Sequence, residues 1–271
     1  MTRRYGERWQ VSSDRPLVKG IDSEIFRAVD TRGEYEGEYA LKHVLHPLRQ
    51  ERFHRELDSV LALRHPNVMA LVDASAFTHA GGSPDNQFLV MPFAEGGDLG
   101  HGRRAEFYKE SLDYTLQLAR QMASALQAAH DSGVIHRDLK PNNVLFMGLG
   151  HEVWLSDFGI CLIREPARLD DPEYAGQGEF LAPELEGGRQ LDVPPAADVY
   201  SLGKVLYYLY SGGVTVVGNS IEPSKYSAML QQDKRRKLLS ALLRQMICPL
   251  ENRLKAMPEV VDQLLAIQNS Q

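Results

Sequence analysis

The residues best suited to chemistry lie in one stretch, Val134 to Gly159. It reads V-I-H-R-D-L-K-P-N-N-V-L-F, then a short Gly-containing turn, then E-V-W-L-S-D-F-G. Val144 to Phe146 and Val153 to Leu155 read as two short apolar strands. They form one hairpin that carries Asp138, Lys140, Asn143 and Asp157 to the same end. Carboxylates together with an amide oxygen are hard ligands, suited to Mg²⁺ beside substrate phosphates. A carboxylate free of the metal can accept a proton from an attacking hydroxyl. A lysine beside it can neutralise charge on a moving phosphoryl group.

Around that stretch the chain supplies ordinary globular material. Its 271 residues allow one large domain or two lobes. A hydrophobic share of 43% and a charged share of 24% exclude a disordered or fibrous chain. The net charge of −6 argues against nucleic acid or an anionic membrane as the main partner. Cys161 and Cys248 stand far apart without metal-ligand spacing, which points to a reduced compartment and no disulfide. No apolar run approaches the ~18 to 20 residues of a membrane span. The first residues lack the apolar core of a signal peptide. The expectation is a cytoplasmic chain with no membrane span.

The flanking elements read as follows. Residues 1–16 are polar and mixed, with Trp9 and Val11 a weak strand start that is not assigned. Alternation around Ile25, Arg27 and Val29 predicts a strand after a turn at Gly20. Glu38 to Val44 predicts a second, half-buried strand. Phe53, Leu57, Val60, Leu61 and Arg64 recur at helical spacing over residues 50–64. Leu71 to Phe77 and Gln87 to Met91 predict two antiparallel strands around the turn-forming loop H-A-G-G-S-P-D-N. Ser111 to His130 carries one apolar stripe and predicts a long core helix. Further helices are predicted over Ala196–Tyr210, Lys234–Ile247 and Pro258–Ile267. His43, His46, His54 and His65 fall on a strand, a turn, a helix and a loop with no ligand period, so packing and surface roles are assigned to them.

The run H-R-D-L-K-x-x-N followed by D-F-G, at this spacing, resembles the catalytic domain of eukaryotic-type (Hanks-type) Ser/Thr protein kinases. The competing reading of these residues is a polar hairpin in an unrelated α+β domain. The resemblance covers about residues 17–267. It implies an α+β bilobal protein kinase fold: residues 1–94 a small antiparallel lobe with one helix, residues 95–271 a larger, mainly helical lobe. It implies ATP and Mg²⁺ as cofactors, a protein substrate, and transfer to Ser/Thr hydroxyls, since Lys140 two places after Asp138 is like the Ser/Thr-directed class. Asp138 is then the catalytic base and Lys140 the neutralising cation, with Mg²⁺ held by Asn143 and Asp157. Lys42 would hold the α and β phosphates, braced by Glu56. Taken alone, Lys42 reads as a strand-edge charge, Glu56 as an exposed helix carboxylate, and Glu51 as a competing acid nearer the helix start.

The nucleotide site implied by the resemblance comprises Gly20, Ser23, Ile25, Ala40, Lys42, Met91, Pro92, Ala94, Asp98 and Leu145. Ile25 and Ala40 would roof the adenine and Met91 would gate the back pocket. The Pro92 carbonyl and Ala94 N–H would pair with the base, and Asp98 would meet the ribose. Asp198 matches an aspartate that holds the H-R-D backbone. Arg253 matches an arginine paired with Glu184 of A-P-E.

The sequence departs from the family at three places. Only Gly20 remains of three phosphate-loop glycines, with Val18 and Ser23 in the other positions; a β-branched Val18 is ill suited to positive φ. Between the D-F-G turn and A-P-E there is no Ser or Thr, and Tyr174 is the sole side-chain hydroxyl. One of Asp170, Asp171 or Glu173 is therefore expected to pair with Arg137 where a phosphate usually does. Gln177 stands where a threonine is usual. The degraded glycine loop favours a rival, a pseudokinase acting as a nucleotide-sensing or scaffold module. A small-molecule kinase of related fold is the second rival, opposed by A-P-E with Arg253 and Asp198.

Overall fold

Alternation of apolar and polar residues in the first part of the chain becomes an antiparallel sheet. The structure is a computed structural model that describes residues 3–20, 23–45, 57, 60, 61, 63–75, 87–101, 104–158, 177–185, 193–219, 221 and 228–270. The chain divides into two compact units, Met1–Arg64 with Met69–Glu95, and His65–Val68 with Gly96–Gln271.

In the first unit the strands are β1 (Arg4–Tyr5), β2 (Trp9–Val11), β3 (Val18–Lys19), β4 (Ser23–Asp30), β5 (Tyr39–Val44), β6 (Asp73–Ala74) and β7 (Phe88–Pro92). They form one sheet ordered β1-β2-β4-β5-β7-β6, with β3 paired to β4. Successive side chains on a strand face opposite ways, and directly paired residues share a face. One face carries Phe26, Ala28, Leu41, Phe88 and Val90, which join Tyr5, Trp9 and Val11 in a buried cluster. Trp9 is fully buried, and its indole Nε1 donates to Asp73 Oδ2 at 2.7 Å, which satisfies a polar atom inside that cluster. Trp9–Val11, left unassigned from sequence, is thus a sheet strand whose weak alternation is offset by long-range pairing.

One expectation needs correction in this unit. Leu71 to Phe77 is not a full strand among the described residues: β6 covers only Asp73–Ala74, although Val72 N still donates to Val90 O at 2.8 Å. Val18 is an ordinary extended residue paired with Ile25, and it is absent from the positive-φ positions. The β3–β4 hairpin is closed by Gly20 N donating to Ser23 O at 2.9 Å. Valine at 18 therefore imposes no backbone strain here.

The second unit is helical around one short hairpin. Its helices are α1 (Arg104–Tyr108), α2 (Leu112–Asp131), α3 (Ala196–Ser211), α4 (Lys234–Met246) and α5 (Met257–Asn269), and its strands are β8 (Val144–Phe146) and β9 (Val153–Leu155). The α2 stripe Leu112, Leu116, Ala119, Met122, Leu126 and Ala129 is buried as its spacing predicts. Helix α3 is apolar on every side and buried along nearly its whole length. It ends at Gly212, whose φ of 76° is the left-handed conformation that glycine adopts at no cost. Asp233 caps α4 by accepting from Arg236 N at 2.8 Å. Glu259 in the first turn of α5 accepts from Ala256 N at 3.0 Å. Among the described residues no helix is long and apolar enough to cross a membrane.

Candidate active site

The β8–β9 register does the first part of the positioning. Val144 pairs with Leu155 and Phe146 with Val153. The flanking residues then meet at the hairpin mouth, where Ser156 N donates to Asn143 O at 3.0 Å. Asn143 and Asp157 are thereby brought to one end, as their places beside the two strands predict. Val144 and Phe146 face the core, which leaves Leu145 half-buried on the opposite face.

Pro141 opens a single 3₁₀ turn, Pro141–Asn143, which folds the preceding loop back on itself. In that loop Lys140 Nζ donates to Asp138 Oδ2 at 2.9 Å. The Asn143 amide nitrogen donates to the Asp138 main-chain oxygen at 2.7 Å. Both Asp138 and Lys140 are mostly buried, with side-chain exposures of 13% and 19%. Spending the Asn143 nitrogen on Asp138 leaves the amide oxygen as the atom for a cation. Together with the Asp157 carboxylate it would supply the hard oxygen donors that suit Mg²⁺, an ion that takes one or two carboxylates beside phosphate oxygens. Arg137 and Asp157 both have φ of 65°. Left-handed non-glycine residues cost about 1–3 kcal/mol each and persist where their surroundings hold them.

What holds them is visible. Asp198, at the start of α3, is fully buried. It accepts from His136 N and Arg137 N, each at 2.8 Å, and pairs with His130 Nε2 at 2.7 Å. Burial is the largest influence on this carboxyl and opposes ionisation. The His130 bond and the nearby His136 outweigh it, so the group sits below the usual carboxylate range. His136 is itself buried; its Nε2 pairs with Ser156 O at 3.0 Å and its ring lies 4.6 Å from that of Phe158. One loop thus fixes the residue before Asp157 and the residue after it.

In the first unit, cross-strand pairing sets Ile25 opposite Lys42 and Lys42 opposite Leu89, then Arg27 opposite Ala40 and Ala40 opposite Met91. Ile25, Ala40, Lys42 and Met91 therefore share the sheet face opposite the buried cluster. Lys42 on that face is only 8% exposed. Pro92 ends β7 with its side chain on the other face, and Ala94 follows in the connecting segment. Gly20 and Ser23 close the β3–β4 hairpin.

Asp98 lies in the second unit, bridged to Leu145. Its Oδ1 accepts from Gly100 N and His101 N, each at 2.8 Å, and its Oδ2 pairs with His101 Nδ1 at 2.8 Å. The carboxylate expected at the ribose therefore also organises its own turn. Arg253 Nη2 donates to Glu184 Oε2 at 3.1 Å, the structural pair expected from the sequence.

Glu56, Glu51, Cys161, Asp170, Asp171, Glu173 and Tyr174 lie outside the described residues, as do His46 and His54. Gln177 begins a 3₁₀ turn, Gln177–Phe180, and its side chain is likewise outside them. Reading the sequence missed His130, whose signal was a polar residue in the last turn of an apolar helix. It also missed Asn67, whose Nδ2 donates to Val153 O at 2.9 Å and whose carbonyl accepts from Leu155 N at 2.8 Å, docking the H-P-N segment on β9.

A family model described as "Protein kinase domain" matches residues 13–271. The serine/threonine-protein kinase pkn2 of Myxococcus xanthus is 34% identical over 216 residues, which is 73% of this chain and 24% of that protein. The serine/threonine-protein kinase PknA of Mycobacterium tuberculosis is 33% identical over 202 residues, 73% of this chain and 46% of that protein. The chain thus spans less than half the length of these relatives. Among solved structures, the PknI kinase domain of Mycobacterium tuberculosis superposes with a TM-score of 0.68 at 23% identity, covering 98% of this chain and 99% of that one. The fold is the α+β protein kinase fold, and the chain belongs to the protein kinase domain family.

Proposed function

We propose that the chain transfers the γ-phosphoryl group of ATP to Ser/Thr hydroxyls of protein acceptors. The observation that carries this reading is the Asp138 carboxylate. It has the Lys140 ammonium at 2.9 Å and the Asn143 amide bound to its own main chain, in a loop anchored on buried Asp198. Asp138 orients the acceptor hydroxyl and takes its proton. The hydroxyl oxygen bonds to phosphorus as the bond to the bridging oxygen of ADP breaks. Lys140 neutralises charge on the group in transit. Lys42 and Glu56 fix the phosphates. Gly20 and Ser23 cover them with main-chain N–H groups, and Ile25, Ala40, Met91, Pro92, Ala94, Asp98 and Leu145 receive the nucleoside. Asn143 and Asp157 would hold Mg²⁺, which supplies positive charge to phosphate oxygens when bound. Catalysis is then positioning and fixed electrostatics. ATP and Mg²⁺ are abundant in the cytoplasm, and this reading puts the domain there, in phosphorylation-based signalling.

The test is incorporation of labelled phosphate into a generic basic protein, with phosphoamino-acid analysis of the product. Asp138→Asn is expected to cut the rate by about 10²–10⁴-fold, the usual contribution of a positioned base. Chelating Mg²⁺ is expected to abolish transfer. A folded wild-type chain that binds nucleotide yet transfers none would establish the pseudokinase module instead.

A further inference from the structure

Lys204 lies in the middle of α3 and is 3% exposed. An ammonium at that depth is costly unless its N–H groups are met. Its Nζ donates to the main-chain oxygens of Glu179 and Val216, each at 2.8 Å, and lies 5.1 Å from the ring centroid of Tyr200 one turn earlier. The Tyr200 hydroxyl in turn donates to Gly218 O at 2.9 Å. Two side chains on one face of α3 therefore hold the 214–218 loop, and one of them also holds the Gln177–Phe180 turn. Phe180 packs edge-on against Tyr208 of the same helix, with ring centroids 5.8 Å apart.

What these contacts hold is exposed on its outer side. Gly178 and Glu179 face water, Val214 is 40% exposed and Val217 is 86% exposed. The same helix grips the loop of Asp138 through Asp198. At 1.5 Å per residue, Lys204 lies about 9 Å further along the axis. Helix α3 therefore fixes the proton-accepting loop at one end and an exposed shelf of main chain and valines at its middle, in one rigid frame. Stability alone does not call for a cation here, since a well-packed apolar residue in place of a buried charge is often as stable.

We infer that Lys204 is a positioning residue for the protein acceptor. It sets the shelf formed by residues 178–179 and 214–217 relative to Asp138, and so governs acceptor binding while leaving nucleotide binding alone. The inference rests on the kinase reading above.

Initial rates with a generic basic protein as acceptor test it. Lys204→Met should raise the acceptor KM about tenfold, with the KM for ATP and acceptor-independent ATP hydrolysis within about twofold of wild type. Lys204→Arg, which keeps charge and donors, should fall between the two. Tyr200→Phe, which removes one hydroxyl from the same loop, should give a smaller rise in acceptor KM and carries the test where Lys204→Met does not fold. An unchanged acceptor KM, or equal losses in both KM values, overturns the inference while the kinase reading stands. A wild-type chain that transfers no phosphate overturns both.

Discussion

Asp198 meets three donors with one carboxylate, and through them it sets the backbone of two functional residues. Removing it orphans the His136 and Arg137 N–H groups and leaves His130 buried without its partner. Breaking a buried charged network from one side costs about 3–5 kcal/mol. Asp198→Ala is expected to lose that much in urea or thermal unfolding, and Asp198→Asn less, since an amide still offers one acceptor. A loss below about 1 kcal/mol would mean the H-R-D loop is held by something else. At this scale the sequence was informative wherever residue type and spacing act locally. Asp138, Lys140 and Asn143 meet because a proline-initiated turn separates them by few residues. It was silent where a contact spans the chain, as for His130, or where a second duty exists, as for Asp98 with His101. Val18, read as ill suited to positive φ, takes an extended torsion in its hairpin instead.

Helices α2, α4 and α5 were legible because their apolar residues recur at helical spacing, and α3 because its apolar run is long and nearly continuous. The hairpin β8–β9 was legible because motif residues flank two short apolar runs. Short strands such as β1, β2 and β3 carry too few residues for a pattern; β2 and β3 form by pairing with β4, and β1 by pairing with β2. Lys204 had a readable signal, a charge in the middle of an apolar helix, but its meaning depends on segments far away in sequence. Helix packing yields a sharper test at Gly203. A Cβ there would sit 2.8 Å from Met246 Cβ and 3.0 Å from Ile247 Cγ1, at the contact of α3 with the end of α4. Alanine is favoured over glycine in a helix by about 1 kcal/mol, whereas forcing atoms into a packed core costs about 1–3 kcal/mol. Because Met246 Cβ is fixed to its own backbone, the clash dominates. Gly203→Ala is therefore expected to destabilise, by up to roughly 2 kcal/mol net of those two effects. A stabilised variant in chemical denaturation would show that α3 and α4 are not in close contact at this point.

Across the whole molecule, each unit contains a carboxylate that folding makes a stronger acid. In the first unit it is Asp30. Arg8 donates to it through Nε at 3.0 Å and Nη2 at 2.9 Å, and the N–H groups of Arg32, Glu34 and Tyr35 add their bonds. The arginine bonds come first among the influences, burial opposes them, and the group ends well below the usual carboxylate range. In the second unit it is Asp198, lowered despite burial by His130 and His136. An unfolded aspartate titrates near ~3.9. Below that pH the unfolded chain takes up protons that the folded chain refuses, so unfolding gains. Both contributions are complete above about pH 4 and fade as pH falls through the depressed folded values. The urea midpoint is therefore expected to be insensitive to these two groups from pH 7 to 5 and to drop between pH 4 and 2. Asp30→Asn should flatten part of that drop, because an amide cannot be protonated there, while lowering the midpoint at pH 7. An acid limb of the same steepness in the variant would show that the Arg8–Asp30 pair does not couple folding to protons.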